Sequence, residues 1–120
     1  MANQIVWCDI PVLDLDRAVK FYSAVLGQPV KKQDFPGMTI GILPHSDGEV
    51  GACLFTSEEE KPSENGAMIY LNANGRLDEA IAAVASNGGK ILKPKHPIGP
   101  FGFRAVVIDS EGNLVALHSD

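Results

Sequence analysis

The feature that most constrains this chain is a repeat inside it. Leu15-Asp16-Arg17-Ala18-Val19 recurs as Leu77-Asp78-Glu79-Ala80-Ile81, and Gly27 recurs in the same frame as Gly89. Ser46-Asp47-Gly48-Glu49-Val50 recurs as Ser110-Glu111-Gly112-Asn113-Leu114, in a frame two residues longer. Two echoes in the same order imply that one supersecondary unit has been built twice. Any fold proposed for the chain must contain two such units and bury a face of each.

The unit can be read from its first copy. Ile5–Ile10 is β-rich and is broken by Pro11. Asp14 stands where a helix N-cap belongs, because its carboxylate can accept from a free backbone N–H. Leu15, Ala18, Val19, Tyr22, Val25 and Leu26 then follow at helical spacing, Gly27 closes the helix, and Pro29 reinforces the stop. Gln28–Phe35, Met38–Leu43 and Val50–Phe55 read as strands, with a turn at Pro36–Gly37 and a hairpin turn at Pro44–Gly48. Thr56–Asn65 is acidic, polar and Pro-containing, the composition of a linker. The second copy runs from a strand at Ala67–Ala73, past a turn or cap at Asn74–Gly75, to a helix with Leu77, Ala80, Ile81 and Val84 on one face, ended by Gly88–Gly89. Lys90–Lys93 reads as a strand and Pro94–Pro100 as a loop. Phe101–Ile108 and Leu114–His118 are strands joined by a hairpin turn at Asp109–Asn113. The expected fold is α+β: one domain over 1–120, with module one at about 3–56, a linker at about 57–66 and module two at about 67–119. Each module reads strand, helix and three strands. Two such sheets set face to face can enclose a cavity, which is a ligand site by geometry alone.

Charge and composition narrow the function classes. The net charge of −5 leaves no basic stripe for a phosphate backbone, since Lys31–Lys32 is too short to be one. No apolar run reaches the roughly 20 residues of a membrane span, and the opening MANQIVW lacks the signal-peptide pattern. The expectation is a cytoplasmic protein with neither nucleic acid nor membrane as partner. Cys8 and Cys53 form no metal-binding spacing and read as small buried hydrophobes rather than a disulfide.

Ile10-Pro-Val-Leu-Asp-Leu-Asp-Arg-Ala-Val-Lys-Phe-Tyr, then Val25-Leu26-Gly27, then Asp109-Ser-Glu-Gly-Asn-Leu-Val-Ala-Leu resemble the opening and the closing hairpin of the vicinal oxygen chelate superfamily. That group includes glyoxalase I, bleomycin-resistance proteins, extradiol dioxygenases and fosfomycin-resistance enzymes. Ser110 stands where the closing motif usually has Pro. Val6-Trp7, Pro62-Ser63, Gly66, Tyr70-Leu71, Gly88-Gly89-Lys90, Ile98-Gly99 and Gly102 resemble more closely a bacterial branch described as lactoylglutathione-lyase-related. The resemblance covers the whole chain. It implies a curved sheet built from two βαβββ modules around a central cavity, and modules commonly paired within a chain or in a homodimer.

The resemblance also implies a divalent metal held by His, Glu or Gln. Carried over one at a time, its ligand positions fall on Trp7, Ala52, Met68 (Ile69 if Asn74–Gly75 carries no extra residue) and Ala116. None is a sound ligand for such a metal. The reading is therefore no metal and no other cofactor, against both glyoxalase-type isomerisation and extradiol cleavage, which need a metal to polarise oxygens.

Strand alternation suggests what lines the cavity instead. Trp7 and Asp9 share one face of the first strand and put Cys8 on the other. Met68, Tyr70 and Asn72 share a face in the second module, Ala52 and Ala116 leave room, and His118 points the same way as Ala116 nearer the edge. With His96 or Arg104 added, the cavity is apolar with a few polar groups and suits a small aromatic or amphipathic ligand. Each residue also has a plainer reading. Trp7 and Tyr70 suit a core or dimer interface, Asp9 a structural hydrogen bond or a general base, and His96, His45 and His118 the surface. Arg104 suits a salt bridge, and Tyr22 the fold signature. The sequence thus supports a homodimeric small-molecule-binding protein without the usual metal. The alternatives are a metal-dependent lactoylglutathione-lyase-like lyase or dioxygenase recruiting Asp9, His96, His118 or Cys53, and a non-catalytic interaction subunit.

Overall fold

A computed structural model describes residues 3–120. Met1 and Ala2, which open the stretch read against a signal peptide, lie outside the described residues. The repeat is realised as two βαβββ units. The first comprises β1 (Trp7–Pro11), α1 (Leu15–Leu26), β2 (Lys31–Phe35), β3 (Met38–Ile42) and β4 (Gly51–Phe55). The second comprises β5 (Ile69–Asn72), α2 (Leu77–Ser86), β6 (Lys90–Pro97), β7 (Phe103–Ile108) and β8 (Leu114–Ser119). Each makes a four-stranded sheet of the same order, β1-β4-β3-β2 and β5-β8-β7-β6. The outer pairs β1–β4 and β5–β8 are parallel and the rest antiparallel.

The helices form where the apolar spacing requires. Asp14 caps α1 through a 3.0 Å bond from the Arg17 amide, and Gly27 ends it in the left-handed region at φ 72°. Leu77, Ala80 and Val84 are the buried face of α2. The matched glycines do different work. Gly88 carries the positive φ after α2, whereas Gly89 is needed for close packing. A Cβ on Gly89 would lie 2.7 Å from both the Ile108 carbonyl oxygen and the Phe21 ring.

Two expectations change. The Pro94–Pro100 loop is in part strand, since β6 continues to Pro97. The chain absorbs Pro94 through register shifts between Ile91, Lys93 and His96, as an edge strand allows. Phe101, read as the start of a strand, instead closes a short 3₁₀ turn, Gly99–Phe101.

The helices pack on one another, and a single core runs through both modules. Ile10, Phe21, Tyr22, Val25 and Leu54 from the first unit are continuous with Leu71, Leu77, Val84, Val107 and Leu117 from the second. The helix-covered faces of both sheets therefore turn towards this shared core. The opposite faces carry no helix and are open.

Candidate functional site

Register decides which side chains stand on the open faces. A Cβ on Gly41 would meet Leu15, Val19 and Val30, so that face of the first sheet carries the helix. Gly41 pairs with Leu54, and Leu54 with Ile10. Cys8 and Ala52 have the same parity and pack against the core. Trp7, Asp9, Gly51 and Cys53 thus stand on the open face. In the second sheet Leu71, Val115, Leu117, Ala105 and Val107 belong to the core, leaving Tyr70, Asn72, Arg104, Val106, Ala116 and His118 on the open face.

This corrects one placement. The echo of Gly48 with Gly112 puts Ala52 in step with Ala116, on the open side. In the structure Ala52 lies on the helix side, and Cys53 takes the open position. The hairpins are of unequal length: pairing closes at Ile42↔Cys53 in the first unit and at Ile108↔Leu114 in the second. With a side-chain period of two, a slip of one residue moves a strand's whole pattern to the other face.

The open face of the first sheet holds a small, tightly bonded group. Trp7 Nε1 donates to Asp9 Oδ1 at 2.9 Å, and the Cys53 thiol donates to the same oxygen at 3.3 Å. The indole lies across β4 because Gly51 has no side chain there. A Cβ at Gly51 would come within 2.6 Å of the ring. His45 meets the indole edge-on, with centroids 5.7 Å apart. Burial, reinforced by the bond to Asp9, pushes the Cys53 thiol up from its ordinary value and so favours its protonated form. Burial, then the Asp9 charge, raises Cys8 as well. The two cysteines are free, on opposite faces of one sheet.

The second open face holds a cationic and aromatic group. Arg104 Nε donates to His96 Nε2 at 3.0 Å, and Arg104 Nη1 donates to the Tyr70 hydroxyl at 2.5 Å. The His118 ring stands 6.2 Å from that of Tyr70, and its Nε2 lies 2.6 Å from the Phe101 carbonyl. Ala116 and Val106 lie between these side chains and are small enough to let Arg104 cross the sheet. His96 is half-buried on a strand, not in a loop, because β6 extends past it. Met68, half-buried just before β5, has the parity of Tyr70.

Among the described residues no hydrogen bond or ring contact joins these two groups, although His45 of the first and Tyr70 of the second border the same cleft. This open cleft of about 990 Å³ lies between the modules, lined among others by Lys31, Ala52, Ile69 and Arg76. Of the residues expected around the cavity, Tyr70, Asn72 and Ala52 border it.

A third cluster, buried and charged, joins the modules. Tyr22 donates to Asp109 at 2.5 Å, and Arg17 pairs with Glu111 at 2.7 Å. Glu111 also accepts from the Leu13 and Asp14 amides and from Ser110. Burial alone would raise its carboxyl, but the Arg17 guanidinium and these donors outweigh that and hold it at about 2. Glu111 was not singled out from the sequence. The only signal for it was its place in the closing hairpin motif.

The metal implied by the resemblance does not fit the residues present. Trp7, Met68 and Ala116 offer an indole, a thioether and a methyl group, and Ala52 points to the core. Among the described residues no three His, Cys, Asp or Glu side chains converge. No helix among them is long and apolar enough to cross a membrane.

Comparison with known proteins agrees with this architecture. A protein of Didymella fabae described as a glyoxylase-like domain-containing protein is 34% identical over 128 residues, covering 96% of this chain and 92% of its own. A glyoxalase/bleomycin resistance protein from Albidiferax ferrireducens T118 superposes with TM-score 0.81 at 20% identity, over 98% of this chain and 99% of the other. The fosfomycin resistance protein FosX from Listeria monocytogenes has the same fold at TM-score 0.69 and 15% identity, over 100% of this chain and 95% of its own. The sequence profile of the Glyoxalase/Bleomycin resistance protein/Dioxygenase superfamily matches residues 4–117, and the chain belongs to that superfamily.

Proposed function

We propose that this protein binds a small aromatic or amphipathic organic molecule against its open sheet faces, without the superfamily's metal centre. One observation carries the reading. Trp7 and Tyr70 stand 42% and 47% exposed on faces that carry no helix, each bonded to charged or polar neighbours. Large rings with a polar handle are the side chains that grip ligands in such sites. Two copies of the chain form the complete site: β1 and β5 are unpaired edge strands through which a second copy can bring its open face to this one. Asp9 has one oxygen engaged by Trp7 and Cys53, leaving Oδ2 to orient a ligand or take a proton from it.

The test is a thermal-shift screen of metabolites and antibiotics read with Trp7 fluorescence, since Trp7 is the only tryptophan. Hits should quench or shift its emission, and Trp7→Ala should weaken them at least about tenfold. Unchanged affinity in Trp7→Ala would remove Trp7 from the site.

A second reading is a metal-dependent lyase of the lactoylglutathione-lyase type. The Asp9–Cys53 pair favours it, being an oxygen and a sulfur donor on one face. A full equivalent of nickel, zinc, iron or manganese in protein purified without chelator would establish it over the first.

A further inference from the structure

We propose that the open face of the second sheet is a receptor for a carboxylate, with Arg104 as its anion-binding group. This rests on the ligand-binding reading above and adds to it the chemical class of the ligand.

The ion pairs among the described residues use Arg17, Lys32 and Lys95, and Arg104 is in none of them. Its two partners are neutral. His96 Nδ1 lies 2.8 Å from the Pro94 carbonyl oxygen, which can only accept, so Nδ1 carries the proton. Nε2 is then the lone pair that receives Arg104 Nε–H, and the ring bears no charge. The second partner is the Tyr70 hydroxyl oxygen. Because it accepts from Arg104, its own proton is free to be donated outward. A guanidinium has five N–H groups. Those on Nη1 and Nη2 not spent on Tyr70 have no partner among the described residues.

The result is a half-buried cation held at two points, uncompensated, and offering adjacent N–H groups beside a phenol donor. Holding Arg104 in advance removes most of the side-chain entropy that binding would otherwise cost. A planar carboxylate takes two parallel N–H bonds from one guanidinium. One cation and two neutral groups match a monoanion better than a phosphate dianion. The exposed Tyr70 ring, with His118 edge-on to it, supplies the flat surface against which an aromatic or amphipathic body would lie. Ala116, buried beneath these side chains, brings no carboxylate to compete.

The experiment uses 4-fluorobenzoate and its neutral isostere 4-fluorobenzamide, followed by fluorine NMR on the intact protein. The benzoate should bind at least about tenfold more tightly than the amide. Arg104→Gln should bring the two within about twofold of each other, with melting temperature unchanged. Arg104→Lys should restore only part of the preference, because an ammonium lacks the fork. Tyr70→Phe should fall between wild type and Arg104→Gln. Equal binding of both probes by the wild type, or a preference that survives Arg104→Gln, would overturn the anion site and leave the broader ligand-binding reading intact. Binding of neither probe would overturn it too. The broader reading fails separately, if the Trp7 fluorescence screen yields no ligand at all.

Discussion

The two hairpins that echo each other in sequence have become opposites in the structure. In the second, Asp109, Glu111 and Asn113 are all buried. Asn113 Nδ2 donates to the Pro11 carbonyl at 2.8 Å and to Asp109 at 3.0 Å, while its Oδ1 accepts from the Ser63 amide at 3.2 Å. This one turn therefore ties the end of β1, the linker and α1 to the second module. In the first hairpin Asp47, the counterpart of Glu111, is exposed, and Glu49 only closes its own turn by accepting from the Ser46 amide at 2.8 Å. Burial makes the second of these matched turns the fastening between modules. The first is longer and exposed, and its His45 leans against Trp7 on the open face.

The contrast can be tested by substitution. Asp109→Ala should be the most damaging change. It strands the Tyr22 hydroxyl, the Glu111 and Asn113 amides and the Asn113 side chain, so chemical denaturation should show a loss above about 3 kcal/mol. Glu111→Gln should cost about 2 kcal/mol at neutral pH, because the Arg17 guanidinium, half in water, loses a partner but not its solvation.

The same variant carries a pH signature. Glu111 titrates at about 2 when folded against an ordinary 4.5, so its stabilisation is fully present above pH 4.5 and is lost as pH falls towards 2. Melting temperature followed across that window should fall less steeply in Glu111→Gln than in the wild type. Parallel curves would mean that the pair does not govern acid stability. Trp7→Ala should cost less than about 1 kcal/mol, since Trp7 is 42% exposed, while still weakening ligand. Asp47→Asn should change stability by no more than about 0.5 kcal/mol. A large effect there would break the contrast between the hairpins.

Much of the fold was legible because it rests on local rules. Asp14 and Gly27 bound α1 through capping chemistry that needs no distant partner, and the helical spacing of Leu77, Ala80 and Val84 identifies the buried face of α2. Trp7 and Asp9 were placed on one face, opposite Cys8, from strand alternation alone. Ala52 was misplaced for the same kind of reason inverted. Alternation holds within a strand, but the step from one strand to the next depends on loop length, and unequal hairpins broke the frame. The bond from Arg104 to His96 could not be read either, because it requires β6 to absorb Pro94 and continue.

The sequence alone determined the two-unit architecture, the helix ends and the motif-bearing hairpin. These follow from residue type and short-range spacing. Only the tertiary structure decided that the helices share one core and turn the other sheet faces outward, and that Glu111 is a buried fastening. It also decided that Cys53 rather than Ala52 stands beside Asp9, and that Arg104 has no carboxylate partner among the described residues. Such facts depend on register and on contacts between residues far apart in the chain, where one residue of slip exchanges core for surface.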